Sequence, residues 1–101
     1  MKSLENKNII VTGGGRGIGE ATCKLLANEG ANVVITCRTE EEGNSVEKDI
    51  LNSGGSAKFV SHDVTSEESW KALINQTLKK FGRIDSVVNN AGSYNVESIR
   101  D

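Results

Sequence analysis

Five of the seven residues from Gly13 to Gly19 are glycines, and this segment carries the clearest chemical signal in the sequence. It directly follows the aliphatic run Ile9-Ile10-Val11 and precedes apolar residues at helical spacing. A helix N-terminus offers free backbone N–H groups and the positive end of a dipole, and glycines let an anion approach without obstruction by Cβ atoms. A tight turn alone would need fewer glycines. The segment therefore predicts a phosphate-binding turn.

The spacing of these glycines distinguishes between known kinds of phosphate-binding turn. Gly14 and Gly19 have the gap of a P-loop, but Glu20-Ala21 replace the lysine and the hydroxyl residue that a P-loop requires, and a negative Glu20 would oppose a triphosphate. The dinucleotide pattern GxGxxG also fails, because Ile18 occupies the place of its third glycine. The pattern that fits is TGxxxGxG, formed by Thr12, Gly13, Gly17 and Gly19.

Short β-branched runs alternate with segments of helical periodicity, and these elements must position the turn. Strands are predicted at residues 7–12, 32–37, 57–61 and 85–89. Three helices are predicted between them, with apolar residues at helical spacing: Ile18, Ala21, Thr22, Leu25 and Leu26 in the first, Val46 and Ile50 in the second, and Trp70, Leu73, Ile74, Thr77, Leu78 and Phe81 in the third. This alternation favours an α/β fold with a parallel sheet and right-handed crossovers.

The ends of the predicted helices carry local signals. Thr39 with Glu42, and Thr65 with Glu68, have the spacing of a capping box, which would begin the second and third helices. Glycines predict the three helix ends: Gly30, the pair Gly54-Gly55, and Gly82. The run of glutamates at residues 40–42 is most simply a helix N-terminal turn, where carboxylates interact favourably with the dipole.

Composition and charge narrow the classes of function. The chain has 101 residues, 26% of them charged, with a net charge of -2, which supports neither a nucleic-acid nor a membrane surface. Residues 1–8 are polar and unlike a signal peptide, so a cytoplasmic protein is expected. Two cysteines and one histidine are too few for a structural zinc site, and no metal site is predicted. The length suits one small domain spanning residues 1–101.

Two further motifs follow predicted strands: Asp63-Val64 after the third, and Asn89-Asn90-Ala91-Gly92 at the end of the fourth. With TGxxxGxG, they make the sequence resemble the short-chain dehydrogenase/reductase family from Asn6 to about Gly92. The resemblance implies a Rossmann-type sheet of strand order 3-2-1-4, with the cofactor at the switch point between strands 1 and 4. It also implies hydride transfer between a nicotinamide cofactor and a small carbonyl or secondary alcohol substrate, in a homo-oligomeric parent protein.

The resemblance also implies roles for individual residues. Gly13, Gly17 and Ile18 would line the pyrophosphate, while Gly19 would let the first helix pack closely on its strand. Gly15 is also expected among the cofactor-binding residues. Asp63 would hydrogen-bond the adenine amino group, with a backbone contact from Val64. Asn89, Ala91 and Gly92 would border the ribose and the central sheet. Alternative roles are open for two of them: Asp63 could cap a turn, and Asn89 could serve strand geometry.

Two arginines indicate which nicotinamide cofactor is bound. A carboxylate at the end of the second strand would bind the 2′-hydroxyl of NAD(H), but here that place falls near the neutral Cys37, and Arg38 follows it. Arg16 lies within the glycine turn. Two guanidinium groups would suit a doubly charged 2′-phosphate, so NADP(H) is predicted over NAD(H). The alternative is that each arginine is a solvated surface charge.

The sequence departs from the family in its catalytic residues. The family's proton transfer uses a Tyr-x-x-x-Lys segment with an upstream serine, whereas the only tyrosine here is Tyr94, and Ser98 stands four residues later. No catalytic residue is therefore assigned among these 101 residues. The chain alone is expected to be an inactive N-terminal fragment or truncated product that exposes the edge of its Val87-Val88 strand. The alternatives for the chain itself are a nucleotide-binding module without catalysis and an inert remnant.

Overall fold

A computed structural model describes residues 3–13, 15, 17–61 and 67–89. Within these residues, strands and helices alternate along the chain. The strands are β1 (Asn8–Thr12), β2 (Asn32–Cys37), β3 (Ser56–Ser61) and β4 (Ser86–Asn89), and the helices are α1 (Gly17–Asn28), α2 (Glu40–Asn52) and α3 (Glu67–Phe81). The predicted alternation is confirmed, and the predicted strands differ from the observed ones by at most one residue, at their starts.

The four strands form one parallel sheet of order β3-β2-β1-β4, which confirms the fold and the strand order that the family resemblance implied. β1 is central, and all five of its residues are buried. Because helices cover both faces of a parallel sheet, a central strand is apolar on both sides, which explains the continuous run Ile9-Ile10-Val11.

The sheet divides the core into two layers. Ile9 and Val11 of β1 face α1 and α2, where they pack with Val46 and Ile50. Ile10 points to the opposite face and packs with Leu73 of α3. Since successive side chains of a strand alternate between faces, these two layers follow directly from the apolar run in β1. The predicted stripes of the second and third helices are confirmed at Val46, Ile50, Leu73 and Thr77.

Helix α1 buries a different stripe from the one that its large apolar residues suggest. Ile18 and Leu25 are exposed, at 79% and 62% of their surface, whereas the buried residues are Gly19, Cys23 and Ala27. These three recur every four residues and lie on one helix face. Because they are small, α1 lies close against the sheet; Ile18 and Leu25 project outward, while Leu26 is partly buried and packs against the core. Helical spacing predicted the helix correctly, but of its large aliphatic residues only Leu26 lies on the buried side.

The first predicted capping box is wrong. Thr39 does occupy the N-cap position of α2, with φ -96° and ψ 107°, but its side chain makes no capping hydrogen bond. Its backbone carbonyl accepts hydrogen bonds from Gly43 N (3.1 Å) and from the Cys37 thiol (3.3 Å). The carboxylates of the first turn still favour the helix dipole. In the second box, Thr65 lies outside the described residues.

The three helix-ending glycines are confirmed by their backbone. Gly30, Gly54 and Gly82 have φ values of 99°, 90° and 89°, a left-handed conformation that glycine adopts without the steric cost of a Cβ atom. Among the described residues, no helix is long and apolar enough to cross a membrane, and no group of three metal-binding side chains occurs. Cys23 and Cys37 are free thiols.

The amino ends of β1 and β4 are joined by a polar network. The backbone N–H of the buried Asn8 donates to Asp85 Oδ2 (2.7 Å), and Asn8 Nδ2 donates to the carbonyl of Arg83 (3.0 Å). The Arg83 guanidinium also donates to the Asp85 carboxylate (3.2 Å). Asn32 Nδ2 completes the network by donating to Asn8 Oδ1 (2.7 Å). These bonds hold β1, β2 and β4 in register at the end of the sheet opposite the glycine turn.

Candidate functional site

The glycine turn lies at the carboxyl end of β1, where β1 is flanked by the ends of β2 and β4. The chain leaves β1 toward β2 on one side and returns from β3 to β4 on the other, so the direction of winding reverses at β1. In open α/β sheets, ligands bind at such a switch point, beyond the carboxyl ends of the strands. The fold therefore places the turn where a crevice for a ligand is expected.

The backbone of the turn is shaped for an anion. Gly13 and Gly17 have φ values of 66° and 61°, in the left-handed region that side chains with a Cβ atom rarely adopt. A Cβ built on Gly17 would have no heavy atom of the described residues within 4 Å, so these residues leave the position at the start of α1 unobstructed. The first-turn N–H groups of α1 have no acceptor within the helix. An unobstructed position beside donors that the helix itself does not satisfy suits a diphosphate group. Gly14 and Arg16 lie outside the described residues.

Gly15 has a different role, which the sequence reasoning missed. It is buried, and a Cβ built on it would lie 2.8 Å from Cys37 Sγ and 3.0 Å from Glu42 Cβ. Its φ is not in the positive range, so backbone conformation does not require glycine here. The missing side chain instead allows the turn to pack against the end of β2 and the first turn of α2. No local pattern reveals this contact, because its members are far apart in the chain.

The first residues of α1 agree with part of what the family resemblance implied. Gly19 is buried at the start of the small-residue stripe, as expected of a glycine that lets the helix approach its strand. The side chain of Ile18 is exposed, and its carbonyl accepts a hydrogen bond from Thr22 Oγ1 (2.7 Å). Ile18 therefore contributes little to the core.

The end of β2 combines a shielded thiol with an exposed cation. Cys37 is half-buried, and its thiol donates a hydrogen bond to the Thr39 carbonyl. Burial raises the pKa of this thiol, and the negative charge of Glu42 raises it further, so Cys37 is neutral at physiological pH. Arg38 is exposed and forms no salt bridge within the described part of the chain. The end of β2 therefore presents a neutral group followed by an accessible guanidinium.

Asn89, at the end of β4, is tied to β1. The two residues Thr12 and Asn89 are paired in register, and Thr12 Oγ1 donates a hydrogen bond to Asn89 Oδ1 (2.8 Å). Thr12 is completely buried. This bond supports the strand-geometry role that the sequence left open for Asn89. Next to Thr12 in the sheet, the Thr36 hydroxyl is buried without a hydrogen-bond partner among the described residues.

The other predicted site residues lie outside the described residues. These are Arg16 in the glycine turn, Asp63 and Val64 after β3, and Ala91 and Gly92 after β4. The strands that precede them end at the same edge of the sheet as β1. The structure thus brings together Gly13, Gly15, Gly17, Ile18, Gly19, Arg38 and Asn89.

With this geometry established, comparison with known proteins defines the family. The family model described as short chain dehydrogenase matches residues 7–101. The chain therefore belongs to the short-chain dehydrogenase family, a family of oxidoreductases that bind nicotinamide cofactors, as its three motifs predicted.

Individual relatives agree with this assignment. The 7alpha-hydroxysteroid dehydrogenase of Clostridium sardiniense is 46% identical over 96 residues, covering 95% of this chain and 37% of the relative. Among solved structures, a metagenomic short-chain oxidoreductase in complex with NADP matches with a TM-score of 0.86 and 38% identity, covering 90% of this chain and 41% of that one. A 7 alpha-hydroxysteroid dehydrogenase complexed with NADH and 7-oxo glycochenodeoxycholic acid also has a TM-score of 0.86 and 38% identity, with coverages of 89% and 35%. The chain thus spans about two fifths or less of the length of these relatives.

Proposed function

We propose that this chain binds NADP(H), in preference to NAD(H), as the cofactor-binding domain of an oxidoreductase that transfers hydride between the nicotinamide and a carbonyl or secondary alcohol. The observation that carries this proposal is the glycine turn at the switch point of the sheet. Its positive φ values at Gly13 and Gly17, together with the position at Gly17 that the described residues leave unobstructed, suit a diphosphate.

In this proposal, the residues of the turn bind and orient the cofactor. Backbone N–H groups from Gly13 to Gly19 would hold the pyrophosphate, with Gly15 keeping the turn against β2 and α2. Asp63 and Val64 would contact the adenine, and Asn89, Ala91 and Gly92 would border the ribose. The bound cofactor would supply the hydride donor or acceptor. We propose no catalytic residue among these 101 residues, so the chain alone would bind the cofactor without turnover.

The preference for NADP(H) rests on charge. Cys37 is neutral where a carboxylate would repel a 2′-phosphate, and the exposed guanidinium of Arg38 is available to attract it. Arg16 adds a second positive charge within the turn. One of the similar structures contains NADP and another NADH, so relatives do not decide between the cofactors. The local charges of this chain are the basis of the proposal.

Comparing Arg38→Ala with the unmodified protein tests both the binding of a nicotinamide cofactor and the preference for NADP(H) over NAD(H). A charge-assisted hydrogen bond contributes roughly 1.5–3 kcal/mol, so Arg38→Ala should weaken NADPH binding by about tenfold or more. NADH affinity should change little. Titration of the purified protein, followed by nicotinamide fluorescence, measures both dissociation constants.

A matched control removes a positive charge elsewhere. Lys79 is exposed in the last turn of α3, at the opposite end of the sheet, so Lys79→Ala should leave both affinities nearly unchanged. Equal losses of NADPH and NADH affinity in Arg38→Ala would refute the preference for NADP(H). If the unmodified protein bound neither cofactor, the whole proposal would be wrong.

A further inference from the structure

A close contact joins the start of α2 to the edge strand β3. A Cβ atom built on Gly43 would overlap Cδ1 and Cε1 of the Phe59 ring and would lie 2.8 Å from its Cζ, so the ring lies directly against the helix backbone. Gly43 is buried within α2, where glycine is intrinsically less favourable than alanine. The contact with Phe59 explains why a glycine occupies this position.

A hydrogen bond one helical turn later joins the same two elements. Glu47 Oε2 accepts a hydrogen bond from the backbone N–H of Phe59 (3.0 Å). Gly43 and Glu47 are four residues apart and lie on the same face of α2. In the described sheet β3 has a neighbouring strand on one side only, and the Glu47 carboxylate supplies an acceptor at this edge. Phe59 therefore binds α2 both through its ring and through its backbone.

The start of α2 also supports the glycine turn. Glu42 precedes Gly43 in the chain, and its Cβ lies 3.0 Å from the position that a Cβ on Gly15 would take. Consecutive residues of a helix point about 100° apart, so Glu42 and Gly43 contact different neighbours. The start of α2 thus lies between the glycine turn and Phe59. Because these contacts are close on both sides, displacement of the helix start would alter the support of Gly15.

We propose that Phe59 is a positioning residue for the cofactor-binding turn. Its ring and its backbone N–H fix the start of α2, and the start of α2 holds Gly15 and the neighbouring N–H groups in place. This inference rests on the proposed binding of a nicotinamide dinucleotide at that turn. Loss of the Phe59 contact should weaken NADPH and NADH alike, because both carry the same pyrophosphate.

A compensating pair of substitutions tests the contact. Gly43→Ala places a methyl group where the ring lies, and Phe59→Leu removes part of the ring. Each variant alone should weaken the binding of both dinucleotides by about three- to tenfold, the effect of impairing about one hydrogen bond. The two changes together roughly conserve volume, so the double variant should bind within about twofold of the unmodified protein. Titration followed by nicotinamide fluorescence measures these dissociation constants.

Labelling of Cys37 by iodoacetamide reports the position of the turn without any cofactor. Its thiol is half-buried beside Gly15, so separation of the turn from α2 should uncover it. Labelling should be about threefold faster in each single variant than in the double variant. Leu73→Val is the matched control, since it removes a buried methylene group on the opposite face of the sheet. It should lower the unfolding temperature and leave the labelling rate and both affinities unchanged.

The possible outcomes separate this inference from the proposed function. Single variants that bind and label like the unmodified protein, or whose effects add in the double variant, would overturn the role of Phe59. Equal changes in Leu73→Val would overturn it too, because they would follow from reduced stability alone. If Gly43→Ala does not fold, Glu47→Ala takes its place and should weaken binding, whereas Glu47→Gln keeps an acceptor and should bind normally. If the unmodified protein binds neither dinucleotide, the proposed function itself fails.

Discussion

Replacing Gly15 with alanine asks whether glycine is needed there for packing. The new Cβ would lie 2.8 Å from Cys37 Sγ and 3.0 Å from Glu42 Cβ, both well inside the roughly 3.5–4.0 Å of favourable carbon contacts. Because Gly15 does not have a positive φ, alanine meets no penalty from a left-handed backbone. The whole effect of the substitution should therefore come from overpacking, which typically costs about 1–3 kcal/mol.

Relief of this overlap should move the glycine turn away from β2 and α2. Glu42 Cβ is attached directly to the helix backbone, so it can yield less than the Cys37 side chain can. We expect Gly15→Ala to lower the free energy of unfolding by about 1–3 kcal/mol. Loss of one well-placed N–H bond to the pyrophosphate should weaken NADPH and NADH alike by about tenfold. Urea unfolding and fluorescence titration measure these two effects.

A second substitution separates packing from other causes. Cys37→Ala removes Sγ and leaves Cys37 Cβ at 3.4 Å from the new methyl group, so Gly15→Ala should cost about 1 kcal/mol less in that background. Gly17→Ala is the contrasting control. Its Cβ would meet nothing within 4 Å, but its φ of 61° makes the substitution cost about 1–2 kcal/mol whatever residue stands at position 37. If the cost of Gly15→Ala were the same with and without Cys37 Sγ, the packing argument would be refuted.

Two predictions concern titratable groups. Burial, and to a smaller extent the charges of Cys37 and Glu20, raise the pKa of Cys23 to about 12, whereas Cys37 is only half-buried. Iodoacetamide should therefore label Cys37 before Cys23 in the folded protein, and bound NADPH should slow the labelling of Cys37. Preferential labelling of Cys23 would contradict this. The hydrogen bond from Asn8 N–H and the charge of Arg83 lower the pKa of the Asp85 carboxyl group in the folded protein. The Asp85 carboxylate therefore stabilises the fold fully above the unfolded pKa of about 3.9, and this stabilisation is lost as the pH falls through the lower folded pKa. Asp85→Asn should lower the free energy of unfolding at neutral pH, and this free energy should fall less steeply with acid than it does in the wild-type protein. Urea unfolding at several pH values measures both effects, and parallel pH profiles for the two proteins would contradict the prediction.

Much of the fold could be predicted from the sequence, because its determinants are local. A strand buried on both faces must be continuously apolar, as at Ile9-Ile10-Val11, and the positive φ values at Gly30, Gly54 and Gly82 explain why glycines mark the helix ends. The position of the glycine turn between β1 and α1 was equally predictable, since the glycine cluster stands between an apolar run and a segment of helical spacing.

Other properties depended on how the elements pack. Large residues at helical spacing suggested one face of α1, but the helix buries Gly19, Cys23 and Ala27, because its distance from the sheet favours small side chains. Thr39 has the sequence of a capping residue, yet its side chain makes no capping bond. The buried face of α1 was therefore decided by packing, whereas the capping pattern at Thr39 predicted the start of α2 but not its hydrogen bonds.

The sequence by itself determined the strands and helices, the glycine turn and the family motifs, since each depends on a short stretch of consecutive residues. Only the tertiary structure revealed that Gly15 is a packing glycine and that Glu42 stands beside Cys37. These neighbours come from a turn, a strand end and a helix start that are distant in the chain. Their distances are decided by strand register and by how closely α2 approaches the sheet, and neither quantity is encoded in any local pattern.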